Sequence, residues 1–217
     1  MDVSSYIDDH SRESNGVGYL YKHESFFTPL YIIFSGAIDR FICVSWLYQN
    51  PRYNCLWVRD VLPYASYTDP NVEKIVSSFA QKYKKVVTFG MSMGGVGALL
   101  HAASLPNAVA AIAVDCEPRG ISDDELLERL ALMNKHVQKH RVHLISCSNK
   151  TEMCLHKKIA ALYESSTVET CPNQHHLSNV PSCRYLYRLF NLYGSLDYDC
   201  FYIDAWERAA TKGYKWE

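Results

Sequence analysis

One short stretch narrows the choice of fold more than any other: "KKVVTFGMSMGGVGALLHAASLP", residues 84–106, in which two apolar runs meet at Gly90-Met91-Ser92-Met93-Gly94-Gly95. The run before the junction is short and β-branched, as a buried strand requires, and the run after it is rich in small residues with helical character. Ser92 therefore sits on a strand-to-helix turn. Glycines two positions to either side let strand and helix approach closely, and the helix that follows directs its first amides toward the serine. Chance gives a Gly-x-Ser-x-Gly pattern about once per 3,000 positions, so a chain of 217 residues is not expected to hold one by accident. The alternative is a glycine-rich turn that carries an incidental serine.

Around this junction, apolar β-rich runs at 18–22, 30–35, 55–59, 86–89, 109–114, 142–146 and 167–170 alternate with helical patterns at 71–82, 122–134, 152–163 and 181–193. The first helix places Val72, Ile75, Val76 and Phe79 on one face, and the second opens on the capping pattern "SDDE". Alternation of this kind predicts an α/β fold: a single domain with a mostly parallel central sheet and helices on both faces. The 24.8 kDa chain, 48% hydrophobic, can bury one substantial core. That core is expected to span about 18–193, followed by an aromatic C-terminal extension, 194–217.

The balance of 22 basic and 23 acidic residues offers no general attraction to nucleic acid or an anionic membrane. The eight cysteines form no Cys-x-x-Cys pair and several lie in apolar strand-like runs, which reads as buried free thiols. A polar, acidic start and the lack of an apolar run of about 20 residues predict a cytoplasmic protein without a secretory signal or membrane span. No metal and no bound cofactor is expected.

The strand, Gly-Met-Ser-Met-Gly turn and small-residue helix resemble the nucleophile elbow of the α/β-hydrolase superfamily, and the resemblance covers about 18–193. "LYIIFSGAIDRF" is similar to the superfamily's oxyanion strand and loop, with Ser35-Gly36 in place of the common His-Gly pair. "YNCLWVRDVLPYAS" resembles, more weakly, small bacterial hydrolase-like proteins of surface-glycan biosynthesis. The superfamily orders its triad serine, acid, histidine, which implies Ser92 as nucleophile and a base in the late loop "CPNQHHLSN", His175 or its neighbour His176. The acid implied after the strand "RVHLIS" is Glu152, with Asp115, one strand earlier, as the rival. The remaining histidines, His10, His23, His101, His136, His140, His143 and His156, read as structural or solvated.

The oxyanion hole is expected from the backbone N–H of Met93 with that of Gly36 or Ala37. Arg40 and Arg59 would project from the same edge of the sheet and could hold an anionic part of the substrate, or simply brace loops. Trp46, Tyr48, Tyr53, Tyr64 and Tyr67 could stack on sugar rings, or pack in the core. Only "CEPRGISDDE" stands where the superfamily often inserts a lid, so little or no lid is expected.

The expected chemistry is a serine acyl enzyme acting on an ester or thioester. The glycan-biosynthesis likeness implies O-acetyl transfer from acetyl-CoA to a bacterial surface glycan such as a capsule polysaccharide. Hydrolysis by a carbohydrate or small-molecule esterase is the first alternative, and a non-catalytic subunit of a glycan-assembly or secretion complex is the second. The expected partners are thus an acyl donor and a glycan acceptor. The tail's Tyr198, Phe201, Tyr202, Trp206, Tyr214 and Trp216 would pack on the domain or on a second copy in a homodimer.

Overall fold

The computed structural model describes residues 2–37, 40–50, 52–60, 67–134, 140–146, 150–170 and 184–194. In chain order the elements are α1 (Val3–His10), β1 (Arg12–Ser14), β2 (Val17–Lys22), β3 (Leu30–Phe34), α2 (Val44–Tyr48), β4 (Asn54–Asp60), α3 (Pro70–Ala80), β5 (Val86–Met91), α4 (Met93–Ser104), β6 (Ala108–Val114), α5 (Asp123–Asn134), β7 (Arg141–Ser146), α6 (Lys150–Ala160), β8 (Ser166–Thr170) and α7 (Arg184–Gly194). The strands form one eight-stranded sheet in the order β1-β2-β4-β3-β5-β6-β7-β8. From β4 to β8 every pairing is parallel, while β2 runs antiparallel to both β1 and β4.

All seven strands expected from the sequence are present, displaced at their ends by a few residues at most. The eighth, β1, is three exposed polar residues, and it pairs because Asn15 and Gly16, at φ 50° and 78°, turn the chain directly into β2. Such two-residue Asn-Gly turns match the twist of a hairpin. Neither α1, capped by Asp2 accepting the Ser5 N–H, nor the short α2 was expected from the sequence.

Parallel strands covered on both faces must be apolar along their whole length, and β3 is buried at every residue. Helices do cover both faces. One core joins Ile32, Phe34, Leu56 and Val58 to Val72 and Val76 of α3, Val96 and Leu99 of α4, Leu126 and Leu130 of α5, and Leu155 and Ile159 of α6. The other joins Tyr31, Ile33, Trp57 and Phe89 to Tyr6 of α1, Leu47 of α2, and Leu189, Phe190 and Tyr193 of α7. No helix of the described residues is long and apolar enough to cross a membrane.

One group differs in part from what the sequence suggested. Among the cysteines, Cys55 and Cys116 are buried free thiols, but Cys154 is exposed on α6; Cys147, Cys171, Cys183 and Cys200 lie outside the described residues. His101, His140, His143 and His156 are all buried, which is the structural one of the two readings given for them. His143, on β7, links β8 and α7, its Nδ1 at 2.9 Å from Thr167 Oγ1 and its Nε2 at 2.6 Å from Tyr193 Oη.

Burial holds these imidazoles neutral, lowering His143 to about 3 and the other three to about 4. Unfolding returns each to about 6.5 and so takes up protons below that pH. The stability these groups confer is therefore complete above about pH 6.5 and falls as the pH drops toward 4, by up to about 1.4 kcal/mol per pH unit for each histidine. Urea midpoints measured from pH 7.5 to 4.5 are expected to fall steadily with pH, and a flat profile would contradict this.

Candidate active site

Ser92 stands between β5 and α4 with φ 55° and ψ −125°, a backbone conformation that costs a residue with a Cβ about 1–3 kcal/mol. Packing on three sides enforces it. A Cβ on Gly90 would collide with the Gly94 carbonyl, and one on Gly94 would collide with the Phe34 carbonyl and lie 2.5 Å from that of Ser35. The helix thus starts against the backbone of β3 and its following residue. The Ser92 N–H donates to the Val114 carbonyl at 2.8 Å, which fixes the turn to the end of β6.

Met93 is the first residue of α4 and is fully buried, so its N–H lies in the helical turn whose donors have no partner within the helix. Across from it, an added Cβ on Gly36 would come 3.8 Å from Ser92 Cβ and 3.3 Å from the Met91 carbonyl. The loop after β3 therefore runs directly beside the serine. Its position is braced by Tyr67, whose hydroxyl donates to the Ser35 carbonyl at 2.5 Å and to that of Val58 at 3.3 Å. Tyr67 is itself wedged against Phe34 and α4, where an added Cβ on Gly97 would meet its ring at 2.7 Å.

Asp115, the first residue after β6, is brought to the same edge: it is 3% exposed, at φ 45°, and its N–H donates to the Ile145 carbonyl at 2.9 Å. Its field acts on the buried His156, whose Nε2 accepts the Cys116 N–H at 3.1 Å. Glu152 lies in the first turn of α6, after β7. Against Ser92 itself stands a residue that the sequence did not single out. Ser92 Oγ donates to Glu117 Oε2 at 3.0 Å, and the Glu117 N–H donates to the Ser92 carbonyl at 3.3 Å. Arg119 Nη2 holds the other carboxylate oxygen at 3.0 Å. The only signal for Glu117 was its place three residues past the end of β6, in the short loop facing the elbow.

The remaining expected site residues fall in different places. Ala37 follows Gly36 and is half-buried, Arg40 is exposed, and Arg59 lies two strands from β5 in the order β4-β3-β5, about 10 Å away. The Arg59 guanidinium packs over Gly18 and stands 5.4 Å from the Phe41 ring centre. His175, His176, Tyr64 and the aromatic tail lie outside the described residues, as does His136. Sugar stacking by Tyr53 and Tyr67 is ruled out because both are 1% exposed. Trp46 and Tyr48 pack into the same core as Tyr53. Among the described residues no three His, Cys, Asp or Glu side chains gather as a metal site would need.

No known protein-family pattern and no curated protein sequence matches the chain. Solved structures do. A hydrolase from Thermoplasma acidophilum, described as CIB-like, aligns over 85% of this chain and 96% of its own with 16% identity and a TM-score of 0.58. An α/β-hydrolase enzyme from the metagenome of sediments of the Mar Chica lagoon, Morocco, aligns over 84% of this chain and 98% of its own, at 18% identity and TM-score 0.55. The thioesterase domain of a curacin biosynthetic pathway covers 83% and 98%, at 10% identity and TM-score 0.57. At such identities the likeness is one of fold, and the fold of this chain is that of the α/β-hydrolases.

Proposed function

We propose that the protein is a serine-dependent acyl enzyme, in which Ser92 attacks an ester or thioester carbonyl and forms an acyl-serine intermediate. The observation that carries this reading is the strained Ser92 backbone, held by close packing at the carboxyl end of β5 beside Gly36 and Met93. Strain of this kind persists where function requires it. The Met93 N–H and that of Gly36 or Ala37 receive the oxyanion, and His175 or His176 takes and returns the proton. The acid that orients the histidine is Glu152 or Asp115; the burial of Asp115 at the tip of β6, the strand next to the nucleophile, supports its candidacy.

The finer reading is acetyl transfer from acetyl-CoA to a hydroxyl of a bacterial surface glycan. It implies a cytoplasmic location, where that donor is made, and a homodimer through the aromatic tail. Residues 115–122 alone join β6 to α5, so no inserted lid stands over Ser92 on that side and a bulky acceptor has room to approach. Incubation with acetyl-CoA, with and without a panel of bacterial glycans, tests this by mass spectrometry of the products. Acetylated glycan formed faster than free acetate is expected. Acetate as sole product, with rapid hydrolysis of simple esters, would make the protein an esterase.

The choice of base is tested by substitution. His175→Ala is expected to reduce acyl turnover more than 100-fold with folding intact, and His176→Ala to reduce it less. The reverse order would move the base by one residue. Replacement of the orienting acid, compared between Glu152→Gln and Asp115→Asn, should cost less than loss of the base.

A further inference from the structure

Glu117 stands within hydrogen-bond distance of the Ser92 hydroxyl. In the free enzyme its Oε2 accepts the Ser92 hydroxyl at 3.0 Å, while Oε1 is held by Arg119. Acylation converts Ser92 Oγ into an ester oxygen and removes the proton that Oε2 had accepted. The carboxylate is then left within hydrogen-bond reach of the scissile bond, lacking the donor it had. It is also accessible from solvent, with 46% of its side chain exposed. An ionised carboxylate only accepts hydrogen bonds, so the group that replaces the serine hydroxyl must bring an O–H or N–H.

Resting on the serine acyl-enzyme reading, we propose that Glu117 is a catalytic residue of the second half-reaction, seating the water that cleaves the acyl-serine. One O–H of the water donates to Glu117 Oε2, which places its oxygen near the acyl carbon. As that oxygen bonds to the carbon, the water's other proton passes to the histidine base; the carbon–Oγ bond then breaks and Oγ recovers the proton. Acyl-serine and water become the free carboxylic acid and free serine, with nothing else consumed. Arg119 acts through Glu117: by holding Oε1 it keeps Oε2 turned toward Ser92. The two half-reactions thus depend on Glu117 unequally, since the first needs only the serine, its base and the oxyanion hole.

The test is rapid mixing of wild type and Glu117→Gln with p-nitrophenyl acetate, following p-nitrophenolate release and the mass of the intact protein. The glutamine variant is expected to show a burst approaching one p-nitrophenolate per chain, then steady turnover at least about 10-fold slower than wild type. Ser92 should carry acetyl during that phase, and Glu117→Asp should shorten its lifetime. Arg119→Ala should lengthen it relative to wild type, by less than Glu117→Gln. If acetyl-Ser92 forms but Glu117→Gln releases it at the wild-type rate, or loses both phases equally, the role given to Glu117 is overturned while the serine reading stands. If no acyl group ever appears on Ser92 in either protein, both fall.

Discussion

Ser92→Ala is expected to abolish ester turnover, by about 10⁴-fold or more, without disturbing the fold. Among the described residues the hydroxyl makes one side-chain hydrogen bond, to the half-exposed Glu117, and the residue's structural work is done by its backbone: the N–H to Val114 and the carbonyl to the N–H groups of Gly95 and Glu117. Alanine keeps all of these. It also keeps the strain, because a Cβ at φ 55° is as crowded in alanine as in serine. Ser92→Gly is therefore expected to be equally inactive but more stable than Ser92→Ala, by about 1 kcal/mol. Loss of activity with gain of stability at one position would mark the strain as functional. Turnover of p-nitrophenyl esters and thermal melts of the three proteins measure both effects, and an alanine variant that retains more than a hundredth of the activity would remove Ser92 from the reaction.

The largest effect on stability is expected at the glycines beside the serine. Gly90→Ala inserts a Cβ into the Gly94 carbonyl, and Gly94→Ala inserts one into the Phe34 carbonyl. In both the obstacle is backbone, in buried elements, and no side chain can swing aside to relieve it. Overpacking of a rigid interior costs about 1–3 kcal/mol or more, and a backbone collision belongs at the upper end. In a domain of this size about 3 kcal/mol corresponds to a Tm lower by about 6–12 °C. Gly16→Ala is the control: nothing stands within 4 Å of an added Cβ there, and its φ of 78° leaves only conformational strain. Melting of the three variants should place Gly16→Ala well above the other two. A Gly90→Ala protein as stable as wild type would mean that strand and helix are not packed as described.

The fold was legible where local pattern and tertiary role coincide. β3, β5 and β6 are buried on both faces, so their apolar runs carry the signal directly, and the Gly90–Gly94 pair declares how β5 must meet α4. β1 was not legible from hydrophobicity because Arg12, Glu13 and Ser14 are all exposed; the Asn15-Gly16 pair was the available clue. The antiparallel setting of β2 leaves no mark in its residues, since it depends on which neighbour the strand finds. In the candidate site, the meeting of Ser92, Met93 and Gly36 could be read from the turn and the loop after β3. Glu117 could not, because it reaches Ser92 only when the loop folds back until its carboxylate meets Ser92 Oγ, a contact across 25 positions. Tyr53 and Tyr67 were ambiguous for a related reason: the same ring can face sugar or core, and here burial settles it.

The central claim is that Ser92 is a nucleophile activated by the folded protein. Its most direct measurement is reaction of the native chain with a fluorophosphonate, followed by peptide mass spectrometry to locate the adduct. One adduct, on Ser92, lost on denaturation before treatment and absent from Ser92→Ala, is the expected result. A folded chain that stays unmodified while a control serine hydrolase is labelled in the same tube would contradict the claim and leave the fold as a binding scaffold.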